Sequence, residues 1–161
     1  MEYVIVPAAE KDREELLALY RAQIGREFCP WDDEYPGEES IDWDLSRNAL
    51  FVMKAKGKIL AAISIEEDEE VDAFSFWDRG LEPSGELARL AVLPEWQNRG
   101  LAKAMLRFSM EELKRRGFCG VRFMVNETNA KAIRSYASFG FHVAGKCHIY
   151  EQDMFCYEKK L

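Results

Sequence analysis

The stretch GELARLAVLPEWQNRGLAKAM, Gly85 to Met105, holds the pattern from which the rest of the chain can be read. Gly85 to Val92 has the composition of a strand and Pro94 breaks it. From about Asn98 to Arg116, Leu101, Met105, Phe108 and Leu113 recur at the spacing of one helical face. A strand end, a tight turn and a helix N-terminus therefore follow one another closely. Unpaired amides at a helix start point at one spot, where the dipole carries roughly half a positive charge, so phosphate is a natural ligand there. Gly100 and Ala102 have little or no side chain and let a pyrophosphate approach the backbone, while Gln97 and Arg99 can add donors. A glycine that merely tightens a turn would leave the same pattern. The spacing is Q-x-x-G-x-A, which excludes the nucleoside-triphosphate loop G-x-x-x-x-G-K-[ST] and the dinucleotide loop G-x-G-x-x-G.

Outward from this segment, strand and helix periods alternate to both ends without repeats, which predicts one mixed α/β layer structure. Downstream, Gly117 stops the helix after Lys114, Arg115 and Arg116, and Val121, Phe123 and Val125 alternate in a strand parallel to the first. Asn129 caps a second helix, Ala130 to Phe139, which Gly140 ends. Two strands follow, at about Phe141 to Tyr150 and Asp153 to Lys159. Upstream, Tyr3 to Val6 reads as a strand, and Asp12 to Ile24 as a helix with Leu16, Leu17, Tyr20 and Ile24 on one face. Ala49 to Ala55 and Lys58 to Glu66 form a hairpin about Lys56-Gly57. Phe28 to Ser46 is a loop-rich excursion with seven acids and no Lys or Arg, and a short helix is expected near Ile41 to Arg47. Phe74, Phe76 and Trp77 lie in a poorly patterned stretch that fits either a sheet extension or a loop.

Composition narrows the function. With 161 residues the chain is of one-domain size, and 22 Lys and Arg against 29 Asp and Glu leave a formal charge of −7, which opposes nucleic-acid binding. No apolar run is long enough for a membrane span, and the N-terminus has no signal-peptide pattern, so a cytoplasmic location is the expectation. Cys29, Cys119, Cys147 and Cys156 contain no C-x-x-C pair, and only His142 and His148 accompany them, so buried thiols are expected and no metal site.

The Gly85–Met105 segment resembles the acetyl-CoA-binding motif of the GNAT superfamily of N-acetyltransferases. NAKAIRSYASFGF, Asn129 to Phe141, is similar to that family's second cofactor motif, a helix ending in a Phe-Gly-Phe turn. The resemblance implies the family's α/β (α+β) fold over residues 1–161 as one domain. That fold has a mixed, mostly antiparallel central sheet of about six to seven strands, a parallel splayed pair, and about four helices on both faces. It also implies acetyl-CoA as co-substrate. Leu90, Ala91 and Val92 would pair with the pantetheine arm, with the Val92 amide an oxyanion donor. Gln97, Asn98, Arg99, Gly100, Leu101 and Ala102 would hold the pyrophosphate, Asn129 would touch the pantetheine and Lys131 a phosphate. Tyr136 is where the family most often protonates the departing thiolate, and a phenol with a pKa near 10 is suited to that. Glu86 corresponds to a glutamate that several relatives use as the base toward an incoming ammonium, with Glu66 or Glu67 as the alternative. Transfer would be direct, with no covalent enzyme intermediate.

The acceptor is a primary amine, of a small molecule or of a peptide or protein. Trp31, Asp32 and Tyr35 of the acidic excursion, with Glu66, combine carboxylates and aromatic faces that suit a small cation ahead of a protein amine, although a solvated loop has the same composition. Relatives often dimerise. A non-catalytic acyl-CoA sensor with the same fold is the competing expectation, and turnover separates the two. A general α/β hydrolase is set aside for want of a G-x-S-x-G elbow.

Overall fold

The computed structural model describes residues 1–161. Seven strands form one sheet in the order β1-β2-β3-β4-β5-β7-β6, and the chain divides into two compact units, Met1–Glu66 with Leu87–Ser109, and Glu67–Glu86 with Met110–Leu161. Strand β4, Ser84–Val92, and helix α4, Leu101–Arg115, each contribute residues to both units.

In the first unit β1, Val4–Pro7, pairs antiparallel with β2, Leu50–Ala55, which pairs antiparallel with β3, Lys58–Glu66. The β2–β3 turn is a two-residue loop with both residues left-handed, Lys56 at φ 51° and Gly57 at φ 74°, the twist that matches a hairpin. Helices α1, Arg13–Arg21, and α2, Glu38–Ser46, supply Leu16, Leu19, Tyr20 and Ile41 to a core shared with Leu50, Val52, Ile59, Ala62 and Ala91. Helix α1 stops at Arg21, earlier than its apolar period suggests, and Ile24 is exposed beyond it. β3 is buried on both faces from Ile59 to Ile65, so its polar Ser64 needs a partner and finds one in Asp44 at 2.6 Å.

The second unit holds the start of β4, in parallel register with β5, Gly120–Asn126: Ser84 faces Gly120 and Glu86 faces Arg122. β7, Gln152–Lys160, runs antiparallel to β5 and to the edge strand β6, His142–Ile149. Between β5 and β6 in sequence lies α5, Ala130–Ser138, whose N-cap Asn129 accepts from the Ala132 amide as its sequence predicts. A one-turn helix α3, Glu69–Asp72, precedes the undecided stretch, which resolves as an aromatic plug and not as a strand. Trp77 donates to the Val71 carbonyl at 2.7 Å, and Phe76 lies where a side chain at residue 145 would be, a hypothetical Cβ on Gly145 falling 2.3 Å from the ring. That one-turn helix is why five α-helices stand where about four are expected.

Candidate active site

The first unit contains the phosphate-type turn. After β4, Pro94–Trp96 forms a single 3-10 turn, Asn98 and Gly100 take left-handed φ of 60° and 83°, and α4 begins at Leu101 with Gly100 as its first acceptor, the Ala104 amide at 3.1 Å. No protein atom lies within 4 Å of where a Gly100 Cβ would stand, so the backbone conformation and not packing calls for glycine. Pro94, Asn98, Arg99 and Gly100 are exposed and Leu101 is buried, so the turn faces solvent while its helix is anchored in the core. The Val92 carbonyl accepts from two side-chain amides, Gln97 Nε2 at 3.0 Å and Gln23 Nε2 at 2.9 Å. Gln97, nominated as a ligand donor, thus folds back to shape the turn, and Gln23 of the post-α1 segment is a support the sequence does not reveal. Arg99 lies 4.9 Å from the Trp96 ring centroid, a cation-π contact that holds the guanidinium beside the turn.

The same unit contains a buried ionic cluster that sequence reading did not find. Arg89 donates to Asp44 at 2.8 Å, Glu66 at 2.7 Å and the Tyr35 hydroxyl at 3.1 Å. Arg47 bonds Asp44 at 2.8 Å and lies over the Trp43 ring, whose Nε1 donates to the other Glu66 oxygen at 3.0 Å. Burial raises the Asp44 carboxyl above its ordinary value, against the opposing pull of Arg89, Ser64 and Arg47. Burial also works against the Arg89 charge, but Asp44, Tyr35 and Glu66 more than restore it. Of the acceptor candidates, Asp32 caps its own turn, accepting from the Glu34 and Tyr35 amides at 2.8 and 2.9 Å, and Trp31 packs edge-on against Tyr20. Both Glu66 oxygens are engaged. The structure therefore gathers Tyr35 and Glu66 around Arg89, and of the two carboxylates expected to meet a cation Glu66 is engaged at both oxygens while Asp32 is exposed and accepts at one.

In the second unit Glu86 is buried at 7% exposure on β4, and its charge helps raise the thiol of Cys156, whose main shift is from burial. Cys147 and Cys156 are free thiols 3.4 Å apart. Tyr136 is half-buried on α5, its ring 3.9 Å from Phe123 and 6.3 Å from both Phe141 and Tyr157, and burial pushes its phenol up to about 12. Lys131 is exposed on the first turn of the same helix. No group of three or more His, Cys, Asp or Glu side chains is arranged for a metal, and no helix is long and apolar enough to cross a membrane.

The profile of the Acetyltransferase (GNAT) family matches residues 15–141, spanning both motifs. The [ribosomal protein bS18]-alanine N-acetyltransferase of Escherichia coli strain K12 is 28% identical over 134 residues, 81% of this chain and 76% of that protein. YncA from Salmonella typhimurium, solved with its cofactor acetyl-CoA, has a TM-score of 0.78 at 20% identity, covering 100% of this chain and 95% of that one. PaiA N-acetyltransferase from Thermoplasma acidophilum, in complex with coenzyme A, has a TM-score of 0.75 at 19% identity, covering 100% of both chains. These two likenesses speak for the fold, seven strands with the parallel β4–β5 pair, and the family match over most of the chain makes it a member of the GNAT family of acetyltransferases.

Proposed function

We propose that this enzyme transfers the acetyl group of acetyl-CoA directly to a primary amine. The observation that carries the reading is the turn Gln97–Ala102, exposed from Asn98 to Gly100 and left-handed at Asn98 and Gly100, opening onto the N-terminus of a helix within the family's motif. Its amides and Arg99 supply what a pyrophosphate needs. Leu90 to Val92 would pair with the pantetheine, the Val92 amide donating to the thioester oxygen, and Asn129 and Lys131 would contribute further along the cofactor. The amine nitrogen attacks the thioester carbon, the C–S bond breaks, and the thiolate leaves.

Glu86 is the base in this reading. It is a buried carboxylate on β4, whereas both oxygens of Glu66 are held by Arg89 and Trp43, which leaves Glu66 poorly placed to take a proton. Tyr136 assists the leaving group. Burial pushes its phenol up to about 12, so Tyr136 is protonated at neutral pH and can donate to the thiolate as charge develops on sulfur.

For the acceptor we infer a peptide or protein α-amine ahead of a polyamine. Both oxygens of Glu66 are held by Arg89 and Trp43, so it offers little to a multiply charged cation, which leaves Asp32, whose two internal bonds both end on one oxygen, as the remaining carboxylate of the pair. The Escherichia coli relative acts on an alanine of ribosomal protein bS18. The test is release of coenzyme A from acetyl-CoA with alanine-initiated peptides, polyamines and lysine peptides, using the native chain and Tyr136→Phe. Amine-dependent release that falls in the variant supports the reading. Tight acetyl-CoA binding with no turnover on any amine replaces it with a non-catalytic sensor.

A further inference from the structure

Arg89 concentrates three unfavourable features in one residue. It takes a left-handed φ of 49° in the middle of a strand, which a non-glycine residue rarely adopts. Its charge is buried, with 6% side-chain exposure, and its Nε has no hydrogen-bond partner. An apolar residue would usually fill such a place at less cost. Backbone and charge held this way cluster where a protein needs a fixed geometry.

What the guanidinium holds gives the reason. Its three acceptors come from two stretches of chain: Tyr35 and Asp44 from the loop and the α2 helix of the acidic excursion, and Glu66 from the end of β3. Tyr35 is half exposed, so its bond to Arg89 ties a surface loop to the buried centre. The loop around it is already closed, by the Asp32 amide donating to the Tyr35 carbonyl at 3.1 Å and by the Glu34 and Tyr35 amides donating to Asp32. Fixing Tyr35 therefore fixes the whole Asp32–Tyr35 turn. We propose that Arg89 is a positioning residue for the acceptor side of the reaction, holding the Phe28–Ser46 segment against β4 so that the acceptor meets a preformed surface. The role rests on the N-acetyltransferase reading. Lysine keeps the charge but lacks the planar fork, so it cannot serve all three partners.

Four full-length proteins test this: native, Tyr35→Phe, Arg89→Lys and the double variant. Steady-state constants for acceptor and acetyl-CoA are measured beside hydrogen exchange across residues 28–46. Loss of the loop bond should raise acceptor KM by about threefold in Tyr35→Phe and about tenfold in Arg89→Lys, with acetyl-CoA KM within about twofold of native. Exchange across residues 28–46 should quicken in both, and the double variant should be no worse than Arg89→Lys alone. Unchanged exchange in Tyr35→Phe, additive effects in the double variant, or an equal rise in both KM values overturns the proposal. Should Arg89→Lys fail to fold, Tyr35→Phe at its half-exposed position still decides. If the native chain acetylates no amine, the enzymatic reading has failed, and this proposal falls with it as an acceptor role; the exchange data then report only whether Arg89 pins the loop.

Discussion

Replacing Tyr136 with Phe removes one oxygen and leaves the ring. The ring packs at 3.9 Å on Phe123, with Phe141 and Tyr157 around it, so the aromatic cluster survives the change and stability near neutral pH should move little. The catalytic effect follows from the acidity. With the phenol pushed up to about 12 it is protonated at neutral pH, and its contribution is a hydrogen bond to the charge developing on sulfur. Such bonds contribute about 1.5–3 kcal/mol, which is roughly a 10- to 150-fold fall in kcat with acetyl-CoA affinity retained. The assay is steady-state release of coenzyme A with calorimetric acetyl-CoA binding on the same preparations. An unchanged kcat would make Tyr136 a packing residue, and a fall that tracks lost binding or lost structure would refute the leaving-group role equally. Alkaline unfolding gives an independent check. The folded phenol titrates higher than an unfolded one near 10, so its contribution to stability is full below pH 10 and is lost as pH rises toward about 12. Tyr136→Phe should flatten that limb.

Three further outcomes follow from the same structure. Glu86→Gln should lower kcat/KM by about 10²–10⁴-fold at neutral pH and recover in part as pH approaches the acceptor amine's own pKa, because the free amine then needs no base; a pH profile parallel to native would exclude Glu86 from proton removal. Gly100→Ala forces a side chain into a left-handed position at a cost of about 1–2 kcal/mol, so acetyl-CoA KM should rise roughly 5- to 30-fold while acceptor KM holds, and equal change in both would argue against a pyrophosphate turn. Asp12 is raised by burial but held below its ordinary value overall by Lys54 and the Ala9 amide, so its contribution is present above the unfolded carboxylate value and lost as pH falls through the lower folded one. Urea midpoints of Asp12→Asn and native protein should therefore differ at pH 7 and converge in acid, and a constant difference would place the effect elsewhere.

What could be read from the chain and what could not divides along the range of the interactions. The β4 end at Val92, the 3-10 turn, Gly100 and the start of α4 at Leu101 fall within ten consecutive residues, and Asn129 caps α5 through an amide three residues on, so local chemistry decides them. Arg89 was illegible because a charged residue inside an apolar strand reads as its solvent-facing member. What makes it buried is Asp44, Glu66 and Tyr35, which are 45, 23 and 54 residues away in sequence. The aromatic plug failed for the same reason. Phe76 and Trp77 follow neither the strand nor the helix period because their places are set by Gly145, Val71 and the fully buried Arg122, whose guanidinium lies 4.6 Å from the Trp77 ring. Gln97 shows the converse: its position in the motif was legible, its hydrogen bond was not, since only the folded turn brings its amide to the Val92 carbonyl. The turn that opens α4 is legible in the family's motif because a helix start is a local object. The Arg89 cluster draws on β4, β3 and the acidic excursion with its helix α2, and only the folded chain shows that both oxygens of Glu66 are taken.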